Sequence, residues 1–240
     1  MNYYFITGTS RGIGFAIATE LLKNNNNKVF GYGRKSSIQH ANYSHITIDL
    51  SDIRALLNFE FPVINEAETI CLINNSGTIG EIKPCGKLDN KNIVQTLNLN
   101  LIAPSILCNQ FLKKYQNYAA KKYIINISSG AAKFPIDAWS AYCASKAGLD
   151  LLSLTIQEEQ NLRNGNVKVF AISPGVIDTA MQDEIRKANP DDFKQYDYFH
   201  KLKINNDLIP PDLVAKKIIH ILQSPRLQDN VLIALKDIVL

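Results

Sequence analysis

Tyr142 and Lys146 stand four residues apart in "AYCASKAGL" (141–149), with small residues between and after them: Ala144, Ser145, Ala147 and Gly148. On a helix that spacing puts a phenol and an ammonium on one face, one turn apart. A free tyrosine titrates near a pKa of about 10 and is a poor acid or base at neutral pH. A cation one turn away stabilises the phenolate and is expected to lower that pKa. The pair therefore reads as a proton donor with its tuning cation, set where small neighbours leave room for a reactant. A surface i,i+4 pair is the bland alternative, so the other motifs must decide.

Two further stretches supply hydroxyl and amide groups. "INISSG" (125–130) ends an apolar run and offers Ser128 and Ser129. "LNLNLIAP" (97–104) places two asparagines, Asn98 and Asn100, inside an apolar helical pattern, where asparagine is disfavoured unless its side chain has a partner.

A third site type comes earlier. "TGTSRGIG" (7–14) joins a β-branched run to a helical pattern. Gly8, Gly12 and Gly14 allow a sharp turn and close approach of a ligand. The helix start offers free N–H groups to a pyrophosphate. No Gly-Lys-Ser/Thr follows, so this is not a P-loop. The next run ends "GYGRKSS" (31–37), where an NAD enzyme would carry an acid for the ribose 2′-hydroxyl. Here Arg34 and Lys35 follow Gly33, and Arg11 lies in the glycine turn. Three cations around one position suit a 2′-phosphate, which implies NADPH/NADP+ as cofactor.

The elements that hold these groups alternate. Apolar β-branched runs fall at 3–7, 28–33, 45–48, 69–73, 122–127 and 167–172, with a last one at 230–235. Helical patterns lie at 13–23, in parts of 92–118, at 140–162 and at 210–223, where Pro210 and Pro211 mark a start. Strand and helix alternating this often predict one α/β domain over 1–240, a parallel sheet with helices on both faces. The polar, aromatic-dotted stretch 180–209 is long for a connection and is expected to be a substrate lid.

Bulk composition narrows the function classes. Of 240 residues, 46% are hydrophobic and 20% charged, as in globular proteins. The net charge of +4, with no Lys/Arg block, argues against a nucleic-acid partner. Four cysteines, Cys71, Cys85, Cys108 and Cys143, form neither a CxxC pair nor a zinc-spaced cluster, so no metal is expected. No apolar run approaches the length of a membrane span, and "MNYYFITG" has no signal-peptide character. The expectation is a cytoplasmic protein with free thiols.

The motifs together resemble the short-chain dehydrogenase/reductase family. "TGTSRGIG" resembles its cofactor turn, "NNSG" (74–77) its Asn-Asn-Ala-Gly motif, "YCASK" its Tyr-x3-Lys motif and "SPGVID" (173–178) its Pro-Gly segment. The resemblance implies a single-domain Rossmann fold with seven parallel strands in the order 3-2-1-4-5-6-7. It implies Tyr142 as proton donor, with Lys146 also holding the nicotinamide ribose. The family serine lies thirteen residues before the tyrosine, which selects Ser129 and makes Ser128 its neighbour. Asn100 would kink its helix and hold a water in a relay to Lys146. Cofactor contacts are implied at Gly8, Ser10, Arg11, Gly12, Ile13, Gly14, Arg34, Lys35, Asp49, Leu50, Asn75, Ser76, Gly77, Tyr142, Lys146, Pro174, Gly175, Ile177 and Thr179. Asp49 would meet the adenine amino group; Ile177 and Thr179 would hold the carboxamide. The short span from Arg34 to Asp49 predicts that the usual helix there is reduced.

"SPGVIDTAMQDEIR" (173–186) with "LKINNDLIPPDLVAKKI" (202–218) is similar to the sepiapterin and benzil reductase subgroup, which implies a ketone or vicinal dicarbonyl substrate. The expected pocket lies between Ser129, the 132–139 loop and the 180–209 lid, with Phe134, Trp139, Met181, Phe193 and Tyr196 as its wall. Sepiapterin reductases are expected to anchor the pterin by a carboxylate near the chain's end. Here Ala234 or Leu235 falls at that position and Asp237 follows it late, so the anchor is expected to be missing. A 3-oxoacyl carrier-protein reductase and a non-catalytic NADPH-binding sensor are the competing readings. The family's habit of pairing through its long central helices predicts a homodimer or homotetramer.

Overall fold

Seven strands line up in parallel, the inner ones as apolar runs that can be buried on both faces. The computed structural model describes residues 1–240, apart from the side chain of Pro225. In chain order the main elements are β1 (Asn2–Thr7), α1 (Gly12–Leu21), β2 (Asn27–Gly33), β3 (Tyr43–Thr47), α2 (Ile53–Leu57), β4 (Thr69–Asn74), α3 (Asn90–Leu97), α4 (Ala103–Tyr115), β5 (Lys121–Ile127), α5 (Ser140–Leu162), β6 (Val167–Ser173), α6 (Ala180–Arg186), α7 (Tyr196–Ile204), α8 (Pro211–Gln223) and β7 (Leu232–Ala234). The strand order is β3-β2-β1-β4-β5-β6-β7, as expected from the resemblance, and every neighbouring pair is parallel.

Side-chain alternation along the strands divides the core into two layers. Tyr4, Ile6, Cys71, Ile73, Ile125 and Ile172 pack against Ile17 and Leu21 of α1 and Val214, Ile218 and Ile221 of α8. Phe5, Ile70, Leu72, Ile124 and Val169 face the other way, onto Leu107, Phe111 and Tyr115 of α4 and Ile156 of α5. A parallel sheet puts the carboxyl ends of all its strands along one edge, which is where ligands bind in open α/β folds.

One element differs from the sequence reading and two add detail to it. The helical parts of 92–118 are α3 and α4, joined by a π-helical turn over Asn98–Ile102 that contains Asn100, the residue read as kinking its helix. Pro104 has no N–H to give to the carbonyl of Asn100, which favours the wider turn. The last strand is Leu232–Ala234, shorter than 230–235, and runs into a 3-10 turn over Leu235–Asp237. The 180–209 stretch, expected to be a substrate lid, holds two short helices, α6 and α7. As expected, no helix forms between β2 and β3. Among the described residues no helix is long and apolar enough to cross a membrane.

Candidate active site

The carboxyl ends of β1, β2, β4, β5 and β6 bring the sequence-predicted groups to one edge. The glycine turn leaves β1 with Gly8 at φ 73° and Gly12 at φ 61°, conformations that favour glycine. A Cβ on Gly14 would lie 2.3 Å from the carbonyl oxygen of Gly8, so only glycine fits where α1 crosses the turn. Arg11 precedes α1 in an extended conformation and its side chain does not cap the helix, which leaves the first N–H groups of α1 for a ligand.

The rest of a dinucleotide cradle surrounds this turn. Asn75 Nδ2 donates to the carbonyls of Thr7 (2.9 Å) and Gly8 (3.2 Å), and the backbone N–H groups of Asn75 and Ser76 donate to Thr7 Oγ1. These bonds fasten the 75–77 segment to the turn. Ser37 Oγ donates to Ser10 O at 2.8 Å, folding the Arg34–Ser37 loop back toward Arg11. Arg11, Arg34 and Lys35 take part in none of the ion pairs among the described residues. Asp49 binds Ser51 through N–H and hydroxyl, which holds its carboxyl below the usual carboxylate range, with Arg34 adding to the effect. Leu50 is buried beside it. After β6, Gly175 (φ 96°) turns the chain, and Ile177 pairs with Ile209 in an isolated bridge. Thr179 returns to the glycine turn, where a Cβ on Gly12 would meet its methyl at 3.3 Å.

The groups for chemistry sit between the ends of β4 and β5 and the start of α5. Tyr142 and Lys146 are both on the inner face of α5, 6% and 5% exposed. Lys146 Nζ donates to Ile127 O at 2.8 Å and stands 5.8 Å from the centre of the Tyr142 ring. Burial pulls the Lys146 ammonium down to about 8, against an upward pull from Asp150. Burial also pushes the Tyr142 phenol up, and the Ser129 side chain beside it works in the opposite direction. The phenol is therefore raised, not lowered as the neighbouring ammonium alone would predict. Both groups lose hydration, and the ammonium gives its hydrogen bond to a carbonyl.

Ser129 caps the short 3-10 turn over Gly130–Ala132, accepting from Ala131 N at 3.2 Å. Asn100 is 1% exposed in the π-helical turn. It accepts from Thr78 N (2.9 Å) and donates to Thr78 O (2.8 Å) and Ser145 Oγ (3.1 Å). A Cβ on Gly77 would approach Asn100 Oδ1 at 3.3 Å and Lys146 Nζ at 3.7 Å, so Gly77, Asn100 and Lys146 share one small space. Among the described residues no group of His, Cys, Asp and Glu could hold a metal ion.

Over this edge lies an apolar lobe. Ala138 takes a left-handed φ of 63° and turns Trp139 inward. Trp139 meets Tyr142 edge-on at 5.5 Å, stacks on Phe193 at 5.7 Å and leans on Phe199 at 5.5 Å. Met181 and Tyr196 pack against the same cluster. Phe134 does not belong to it: its side chain is exposed, because the 132–137 loop carries it outward, so that expectation is corrected. Ile79, Ile185 and Phe199, which the sequence reading passed over, complete the cluster. The lobe is tied down by Lys87 to Asp192 at 2.5 Å and by Lys194 N to Asp137 at 3.0 Å.

Comparison with known proteins fits this geometry. The family model described as short chain dehydrogenase matches residues 2–190. The chain belongs to the short-chain dehydrogenase/reductase family. Within it, the chain is 36% identical over 237 residues to a protein named benzil reductase ((S)-benzoin forming) from Bacillus cereus, covering 93% of this chain and 95% of that one. The same name is carried by a Bacillus subtilis protein, 37% identical and covering 93% and 94%. A sepiapterin reductase of Rattus norvegicus is 30% identical, covering 75% and 68%. These likenesses place this short-chain reductase in the benzil and sepiapterin reductase-like subgroup. Solved structures agree in fold: a 4-hydroxyisoleucine dehydrogenase complexed with NADH (TM-score 0.78, 22% identity, covering 98% and 96%) and a serine dehydrogenase complexed with NADP+ (0.77, 19%, covering 97% and 93%). The chain is thus a carbonyl reductase of a family that uses nicotinamide cofactors.

Proposed function

We propose that this protein is an NADPH-dependent carbonyl reductase that reduces vicinal diketones of the benzil type to hydroxyketones. The observation that carries the reading is the buried Tyr142–Lys146 pair, with Ser129 beside the phenol, under an aromatic lobe.

The cradle fits a dinucleotide, since the glycine turn, with Gly8 and Gly12 at φ above zero, leads directly into the uncapped start of α1. Gly8, Ser10, Gly12, Ile13 and Gly14 would meet the pyrophosphate, and Arg11, Arg34 and Lys35 the 2′-phosphate. Asp49 and Leu50 would border the adenine; Asn75, Ser76, Gly77, Pro174, Gly175, Ile177 and Thr179 would border the ribose and nicotinamide. When bound, the reduced nicotinamide supplies a hydride to the carbonyl carbon.

The chain's own groups manage the oxygen. Ser129 donates a hydrogen bond to the substrate carbonyl and orients it. The Tyr142 phenol, kept protonated by burial, gives its proton to that oxygen as negative charge develops. Lys146 limits the charge left on the phenolate and holds the cofactor ribose. Asn100 fixes Thr78 and Ser145 around them.

The aromatic lobe beside the Tyr142 ring offers an apolar surface that suits an aryl diketone. The test is NADPH oxidation, followed by absorbance, with benzil and with an aliphatic 1,2-diketone. Turnover with product hydroxyketone is expected; no oxidation above background with either diketone would sink the reading.

A further inference from the structure

Three consecutive residues at the end of β5 are each tied to α5. Asn126 Nδ2 donates to Ser153 Oγ at 2.8 Å, Lys146 Nζ donates to Ile127 O at 2.8 Å, and the Ser128 hydroxyl donates to the Asp150 carboxylate. Lys146, Asp150 and Ser153 are spaced i, i+4 and i+7, one face of the helix, and all three are buried. The next residue along the chain is Ser129. We propose that Asp150 is a positioning residue for the reaction: through Ser128 it fixes the strand end that carries Ser129, and one helical turn from Lys146 it supplies the counter-charge that keeps the ammonium protonated. This rests on the reading of Ser129 and Lys146 given above.

The geometry assigns Asp150 this part because it is the acid one turn from Lys146 on the same buried face, and among the described residues Lys146 has no ion pair. Asp150 is 8% exposed in the middle of the buried face of α5, between Leu149 and Ser153. A buried carboxylate is retained only when paired or hydrogen-bonded. Its surroundings are Ser128 at the end of β5, Lys133 after the 130–132 turn, and Lys146 on its own helix. Burial pushes the Asp150 carboxyl up, while Ser128, Lys133 and Lys146 draw it back. On Lys146 the effect has the other sign: burial pulls it down and Asp150 holds it up. Removing the carboxylate charge therefore lets Lys146 lose its proton at lower pH.

Two variants separate the two arms. Asp150→Asn keeps an acceptor for Ser128 and removes the charge; Ser128→Ala keeps the charge and removes the bond. The first readout needs no turnover: competitive acetylation of the cofactor-free protein with acetic anhydride across pH, with Lys146 quantified by mass spectrometry. The half-reaction pH of Lys146 is expected to fall by about half a unit in Asp150→Asn and to stay in place in Ser128→Ala. The second readout is the pH profile of kcat for diketone reduction. Its alkaline limb should move down in Asp150→Asn, while Ser128→Ala should lower kcat about tenfold with the limb unmoved. An Asp150→Asn protein with unshifted Lys146 acetylation would overturn the counter-charge. A Ser128→Ala protein with kcat within twofold of wild type would overturn the positioning of Ser129. If the wild type reduces no carbonyl at all while its acetylation profile shifts as stated, the functional reading fails and the electrostatic coupling survives.

Discussion

Tyr142 and Lys146 lose their water together, and that decides the form in which the acid waits. Hydration favours the charged state of each group, so burial raises the phenol and lowers the ammonium. A phenol held protonated suits reduction, where the proton must be present when the hydride arrives. Tyr142→Phe removes the proton and little volume. It is expected to lower kcat by about 10²–10⁴-fold while NADPH affinity, read by fluorescence titration, changes by less than a few-fold. Turnover within a few-fold of wild type would refute the assignment. Cofactor choice also belongs to single residues. Gly33 ends β2 where an acid would meet a 2′-hydroxyl, and Arg34 follows it in the loop that Ser37 folds toward the glycine turn. Gly33→Asp with Arg34→Ala exchanges a phosphate-binding cation for a repelling carboxylate. The ratio of kcat/KM for NADPH over NADH should fall by about tenfold or more, since one charged hydrogen bond is worth roughly 1.5–3 kcal/mol; an unchanged ratio would refute the basic loop.

At the level of elements, what the sequence revealed follows the strength of the local signal. The inner strands β1, β4, β5 and β6 and the glycine turn were legible because runs buried on both faces leave continuous apolar stretches, and because φ above zero selects glycine. Tyr142, Lys146, Ser129 and Asn100 converge as their motifs implied. Asp150 was not read, since a lone acid within a long helix looks solvated until the tertiary partner, Ser128, is known. The signal was there: Asp150 shares a face with Leu149, Ser153 and Ile156, all buried. Phe134 failed for the opposite reason, an aromatic in a loop having no periodicity to fix its direction. The chain's last segment matters most for substrate choice. Leu235 packs into the layer of α1 and α8, away from the aromatic lobe, and Asp237 is exposed on the 3-10 turn after β7. That placement favours the reading in which no carboxylate meets a pterin edge. Benzil should therefore be reduced with kcat/KM at least about tenfold above sepiapterin under the same NADPH concentration, the difference that one missing charged hydrogen bond makes. A preference for sepiapterin that Asp237→Ala abolishes would reverse this.

On the scale of the whole molecule, one face remains apolar without cover. Leu151, Leu154 and Leu162 project from α5, Val94 from α3 and Ile102 from the π-helical turn between α3 and α4, and all are exposed. Single exposed apolar residues are ordinary, but five on adjoining helices are what a self-association surface would need, and that is the expectation here. The same helices hold Tyr142, Lys146 and Asn100 on their inner faces. A partner packed on the outer faces would stiffen the elements that position the site. A two-fold contact presents the same stripe from both copies, so apolar meets apolar without a second surface having to evolve. Homodimers, or tetramers built from them, are expected at micromolar concentration by light scattering. Leu151→Glu with Leu154→Glu places four like charges across such a contact and should yield the monomer mass, with circular dichroism unchanged because neither side chain is in the core. Activity of that monomer then reports how far the site depends on its neighbour: a fall in kcat with NADPH affinity retained is expected if the outer contact steadies α5. A wild-type protein that is already monomeric would show that this stripe is not a self-association surface.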